Sequence, residues 1–227
     1  MEVLYQDNHI IIVNKAPGEI TQGDRTGDVT LVQQVKDYIK ETFHKPGNVF
    51  LGVVHRLDRP TSGVVVYAKT SKALSRMNEL FRSDKVHKTY HAIVEKTPVP
   101  DHGKLLHYLK KNEQQNKSYV VTSSATGAKK ALLTYETLAH SERYTLLSVN
   151  LQTGRHHQIR CQLSAIGSPI RGDLKYGARR SNPNGSISLH AYRIQFTHPV
   201  SQQPIDVTAP YPESDSLWAH FAALQVP

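Results

Sequence analysis

Short runs of β-branched residues, each closed by a polar or glycine-containing turn, constrain this chain more than any other feature. Residues 3–14 read as a strand, a turn at Asp7-Asn8 and a second strand. The run from Gly63 through Val64, Val65, Val66, Tyr67 and Ala68 to Lys69 has the β-branched density of a buried strand. Residues 86–95 alternate, so that Val86, Lys88, Tyr90, Ala92 and Val94 share one face. Residues 104–109, 118–122, 130–138, 143–151, 187–196 and 204–208 read as further strands, and 110–117 and 123–128 as loops. Within 30–43, Leu31, Val35, Tyr38 and Ile39 follow helical spacing, with Thr30 and Gln33 as a capping box and Pro46-Gly47 as the stop. Ser71 can cap a second helix carrying Leu74, Met77, Leu80 and Phe81. A third spans 155–166, capped by Thr153 and stopped by Gly167, with Ile159, Leu163 and Ile166 on one face. Many short strands and few helices predict an α+β fold. The expectation is one domain over 1–227, on a large mixed, mostly antiparallel β-sheet with flanking helices and loops.

Charge and cysteine usage narrow the partners. Lys and Arg number 28 against 19 Asp and Glu, a formal net charge of +9. Such an excess suits a polyanionic partner, although a basic protein without one is equally compatible with it. Cys161 is the one cysteine, so an internal disulfide and a Cys-based zinc site are excluded. Residues 1–7 carry no basic stretch leading into an apolar one, so no signal peptide is expected. The apolar run Ile10-Ile11-Ile12-Val13 is far too short to span a membrane. These features predict a cytoplasmic protein.

Three segments can carry chemistry. His55-Arg56-Leu57-Asp58-Arg59-Pro60-Thr61-Ser62-Gly63 lies between two strand-like runs and gathers charges in a Pro- and Gly-bounded loop. A lone carboxylate among arginines stays ionised and can serve as a nucleophile. A salt-bridged turn has the same pattern. Thr153-Gly154-Arg155-His156-His157-Gln158-Ile159-Arg160 reads as a helix start beside Arg155, an anion site, or else as a solvated basic face. Lys88-Thr89-Tyr90 places a tyrosine on a strand, either as a core ring or as one that stacks on a base. Adjacent histidines on a helix diverge by about 100°, so His156 and His157 do not predict a metal site. Phosphate-binding glycine loops and a hydrolase elbow are absent from the sequence.

Taken together, these segments resemble the RluA family of pseudouridine synthases, in the form without an N-terminal S4-type RNA-binding domain. Leu4-Tyr5-Gln6-Asp7 and Ile12-Val13-Asn14-Lys15 look like the family's opening motif, with Ala16 intervening before Pro17. His55–Gly63 with Ala68-Lys69 follows its catalytic motif, and Lys88-Thr89-Tyr90 its tyrosine motif. Thr153-Gly154-Arg155 with His157–Arg160 follows its arginine motif, departing at Gln162, where the family usually has His. Gly172-Asp173, Tyr176-Gly177, Leu189-His190-Ala191 and Phe196 with His198-Pro199 complete the order.

The resemblance implies an isomerase that converts uridines of rRNA or tRNA stem-loops to pseudouridine, without cofactor or metal. It implies catalytic roles for Asp58, Tyr90 and Arg160: the essential carboxylate, a ring stacked on the uracil, and a guanidinium pairing with Asp58. Arg56 is implied to replace the flipped base in the RNA stack, and Leu189 to pack at the active site. His55, Arg59, Thr61, Lys88 and Arg155 lie within the same motifs and are expected on the RNA side. A monomer without protein partners is expected. Two other readings stay open: an RNA-binding protein that needs no Asp58, and a glycosidase-type hydrolase, which normally needs two carboxylates where Glu and Asp are sparse around the motifs.

Overall fold

In the computed structural model, which describes residues 1–23 and 27–224, the β-branched runs form strands where the sequence places them. In chain order the elements are β1 (Glu2–Gln6), β2 (Ile10–Lys15), α1 (Leu31–Thr42), β3 (Gly52–Val53), β4 (Ser62–Ala68), α2 (Ser71–Arg82), β5 (His87–Val94) and β6 (His102–Asn112). They continue as β7 (Lys117–Val121), β8 (Lys129–His140), β9 (Thr145–Leu151), α3 (Gln158–Ala165), β10 (Leu189–Thr197), β11 (Pro204–Thr208) and α4 (Ser216–Leu224). Among the described residues, eleven strands and four α-helices make the expected α+β fold on a large sheet. The chain divides into two compact units, Met1–Val86 with Ala191–Pro212, and His87–His190 with Glu213–Pro227.

In the first unit the strand order is β1-β2-β4-β10, with β3 on β4 and β11 on β10. Ile10, Ile11, Ile12 and Val13 of β2 are all fully buried, because both faces of the strand are covered. Ile10, Ile12, Val64 and Val66 pack with Met77, Ile194 and Phe196. Gly63 has φ +112°, and a Cβ there would lie 2.3 Å from the carbonyl oxygen of Ala191. Only glycine lets β4 approach β10 so closely at this point.

The second unit is an antiparallel sheet ordered β5-β9-β8-β6-β7. Lys110, Lys111 and Asn112, expected in a loop, pair with Tyr119, Ser118 and Lys117. Their polar side chains hide a strand whose partner is its own hairpin arm.

Helix starts follow hydroxyl chemistry, with three corrections. Thr30 accepts the N–H of Gln33 as expected, but the Gln33 side chain donates to Asp37, so the box is half formed. Thr70, not Ser71, caps α2 by accepting the N–H of Ala73. The third helix begins at Gln158, not 155. The Thr153 hydroxyl is used on the N–H of Leu132 in β8 and on the Gln158 side chain, and His157 precedes the helix at φ +51°. The expected helix N-terminus beside Arg155 is therefore not formed.

His91 and His190 lie buried in the second unit, 5% and 0% exposed. Burial, with His190 adding to it, pulls the His91 imidazole down to about 3. A folded-state value below the unfolded one makes the unfolded chain bind the extra proton as acid is added. Stability is thus complete above about pH 6.5 and declines as pH falls toward 3. At pH 5 the loss attributable to His91 is about 2 kcal/mol. Urea unfolding at pH 7 and pH 5 should show a loss of stability that is smaller in His91→Gln than in the wild type by about that amount; equal pH dependence in both proteins would refute the assignment.

Candidate active site

Asp58 sits half-buried in the loop between β3 and β4. Its neighbours are fixed from below by Lys15, the last residue of β2. Alternation puts Lys15 on the same face as Ile11 and Val13, so its side chain runs inward and is fully buried. The ammonium donates to the carbonyls of Ala16, Arg59 and Thr61 at 3.0, 3.1 and 2.6 Å. Those three bonds use all its donors. Burial pulls Lys15 down to about 8, with the charges of Glu19 and Asp58 opposing the shift, so it remains protonated at neutral pH. On the other side of Asp58, the Thr21 hydroxyl donates to the Leu57 carbonyl at 3.1 Å. The N–H of Thr61 closes a turn on the Asp58 carbonyl at 3.0 Å. The loop backbone is thus held on both sides of the carboxylate.

The flanking side chains divide into frame and surface. The Nε2 of His55 accepts the N–H of Val66 at 3.0 Å, and its ring stacks on Phe81. Thr61 is 2% exposed and gives its carbonyl to Lys15. Arg59 donates to Gly18 and pairs with Asp28 at 2.9 Å while half-exposed. Arg56 is exposed. His55 and Thr61 therefore shape the loop, while Arg56 and Arg59 face solvent.

In the second unit, Tyr90 lies opposite Val149 of β9 and is 9% exposed. Arg160 lies on α3, and its guanidinium edge is clamped by Asp173. Nε donates to Oδ2 at 2.7 Å and Nη2 to Oδ1 at 2.9 Å, with side chains 7% and 1% exposed. A buried bidentate pair fixes the guanidinium plane. The Tyr176 ring lies 5.1 Å from the Arg160 carbon, a cation–π distance. The Tyr176 hydroxyl accepts the N–H of Ser118 at 2.8 Å and meets His157 Nδ1 at 3.0 Å. Gly172, at φ +86°, permits the turn that presents Asp173, since a Cβ there would meet Asn182 and the Ser186 carbonyl at 2.7 Å.

His156 and His157 stack at 3.8 Å instead of diverging, because neither is inside the helix. Among the described residues no group of three or more His, Cys, Asp or Glu is placed to hold a metal ion. Lys88 is half-buried, its ammonium near Gly154, and Arg155 is exposed with Nε on the Lys130 carbonyl at 2.9 Å. Leu189 is buried.

Lys15, Thr21, Asp173 and Tyr176 received no role from the sequence. A lysine in phase with Ile11 and Val13 was the readable signal for the first. For Asp173, 13 residues from Arg160, spacing gives none.

Residues 9–165 match the family model described as RNA pseudouridylate synthase. The chain is 34% identical over 239 residues to a tRNA pseudouridine synthase C of Pectobacterium carotovorum subsp. carotovorum, covering 96% of this chain and 60% of that protein. It is 33% identical over 227 residues to a ribosomal large subunit pseudouridine synthase D of Xylella fastidiosa (strain Temecula1), covering 94% and 66%. It thus spans about two thirds or less of the length of these relatives. Its fold matches that of human RNA pseudouridylate synthase domain containing 4 with a TM-score of 0.81 at 23% identity, over 100% of this chain and 94% of that one.

Proposed function

This chain belongs to the RNA pseudouridylate synthase family, and from that premise we propose that it isomerises particular uridines of structured rRNA or tRNA, with Asp58 as the catalytic carboxylate. The observation that carries the reading is the loop frame: buried Lys15 and Thr21 fix the backbone on both sides of a half-buried aspartate. An attacking or proton-abstracting oxygen gains most from such fixed aim.

The reaction breaks the N1–C1′ bond, turns the uracil and rejoins it through C5. Atoms and electrons balance within the nucleotide, so the chain's own side chains suffice. Asp58 serves either by bonding to C1′ as the base departs or by taking a proton from C2′. The target base leaves its stack first, at a cost of about a few kcal/mol. Arg56, exposed and planar, fills the vacated place. Tyr90 supplies the ring against which the uracil stacks, and Arg160, with its plane set by Asp173, completes the catalytic set. Arg59, Lys88 and Arg155 contribute cations toward the RNA backbone, and Leu189 packs at the site. His55 and Thr61 act through the loop. The whole chain works as one catalytic domain, monomeric and cytoplasmic. Among the described residues no helix is long and apolar enough to cross a membrane.

The test is incubation of the purified protein with rRNA and tRNA transcripts, read by carbodiimide modification and primer extension. A new stop with no free uracil is expected. RNA binding without a stop in any transcript would leave only the binding reading, and release of uracil would identify a hydrolase.

A further inference from the structure

A cleft of about 580 Å³ opens in the second unit at the end of β5 remote from Tyr90. The charged residues of its walls come from three separated stretches. Glu95 and Lys96 follow β5, Arg143 and Tyr144 belong to the turn between β8 and β9, and Arg179 and Arg180 follow the 3₁₀ turn Leu174–Tyr176. Backbone bonds hold the stretches in place. The N–H of Glu95 donates to Pro169 at 3.1 Å, that of Arg171 to Ile93 at 2.9 Å, and Ser141 and Tyr144 close their turn at 2.8 Å. Arg171 also lies over the Tyr144 ring, 5.6 Å from its centre, and pairs with Asp215.

The charges in this cleft are unbalanced. Lys96, Arg143, Arg179 and Arg180 face one acid, Glu95. The Glu95 carboxylate already accepts the backbone N–H of Arg179 at 3.1 and 3.3 Å. All four cationic side chains are exposed, and none forms an ion pair with a carboxylate among the described residues. Like charges gathered in a concavity repel one another and focus a positive potential that an anion relieves. The volume accommodates a nucleotide-sized group, which is more than a bare phosphate needs. A planar membrane surface does not enter such a recess.

Glu95 lies five residues beyond Tyr90, about 17 Å along an extended strand. The cleft is therefore separate from the reacting base. We propose that it is a second RNA site, which grips the phosphodiester backbone of the substrate at a distance from the target uridine. The proposal rests on the reading of the chain as an enzyme acting on RNA. Contacts of this kind position a nucleic acid without reading its sequence. They add affinity through counterion release and contribute nothing to the bond-breaking step.

The test is the double variant Arg143→Ala, Arg180→Ala, compared with the wild type at several salt concentrations. Equilibrium binding to a full-length RNA substrate is measured apart from turnover. The slope of log affinity against log salt should become shallower by about 1.4 to 1.8 for the two lost phosphate contacts. KM should rise at least tenfold with kcat unchanged, and the thermal midpoint should stay at the wild-type value. Unchanged affinity and slope would overturn the proposal. So would saturable binding of inorganic phosphate in the cleft that the RNA does not displace. Failure of the catalytic reading is a different result: no pseudouridine from the wild type in any transcript, whatever the variant's affinity.

Discussion

Replacing Asp58 by Asn is expected to abolish pseudouridine formation, by on the order of 10⁴-fold or more in single-turnover rate. The amide keeps the size of the side chain and cannot act as the nucleophile or base. Because Asp58 is half-buried in a loop whose frame runs through Lys15 and Thr21, the variant should fold and bind RNA as the wild type does. Asp58→Glu is the more informative change. It keeps the charge and moves the oxygen by about 1 Å or more, a displacement that can cost on the order of 10²-fold. A mobile loop would absorb the extra methylene. This one is held at Leu57, Arg59 and Thr61, so the carboxylate cannot be drawn back. Asp58→Glu should be nearly as inactive as Asp58→Asn. Carbodiimide mapping in single-turnover reactions, with RNA affinity and thermal midpoint in parallel, decides it. Substantial turnover by the Glu variant would refute the positional argument.

What the sequence could say follows from the range of the forces involved. β2 and β4 were legible because β-branched runs bury both faces and need no distant information. The Thr30 cap was legible because its partner is three residues away. Thr153 misled, since its hydroxyl serves a neighbouring strand, Leu132 of β8, before any helix. β6 and β7 were cut short in prospect because a hairpin satisfies the backbone of Lys110–Asn112 while their side chains stay polar. α4 (Ser216–Leu224) went unread: alanine and leucine around Trp218 and Phe221 give no clear amphipathic stripe. The carboxylate loop was visible as a charged, Pro-bounded segment between strands. The bonds from the buried lysine to Arg59 and Thr61, and the basic cleft, were not, because each joins stretches far apart in the chain.

The Arg160–Asp173 pair belongs to that second kind of information, and it carries the largest expected effect on stability. Asp173→Ala removes a bidentate carboxylate from a guanidinium whose side chain is 7% exposed. Removing one partner of a buried ion pair costs about 3–5 kcal/mol. For a chain of this size that is a fall in Tm on the order of 10 °C. Tyr176 cannot make up the loss, because its hydroxyl is used by Ser118 and His157 and only its ring faces Arg160. The pair need not be the most stable filling of its site, since apolar residues of similar volume often replace a buried ion pair without loss. The double variant Arg160→Met, Asp173→Leu should therefore recover most of the stability that Asp173→Ala loses. It should still make no pseudouridine, because the guanidinium is gone. Thermal unfolding and carbodiimide mapping on the same preparations separate the two effects. Wild-type stability in Asp173→Ala would mean that the pair contributes nothing to the fold. Pseudouridine from the double variant would remove Arg160 from the catalytic set.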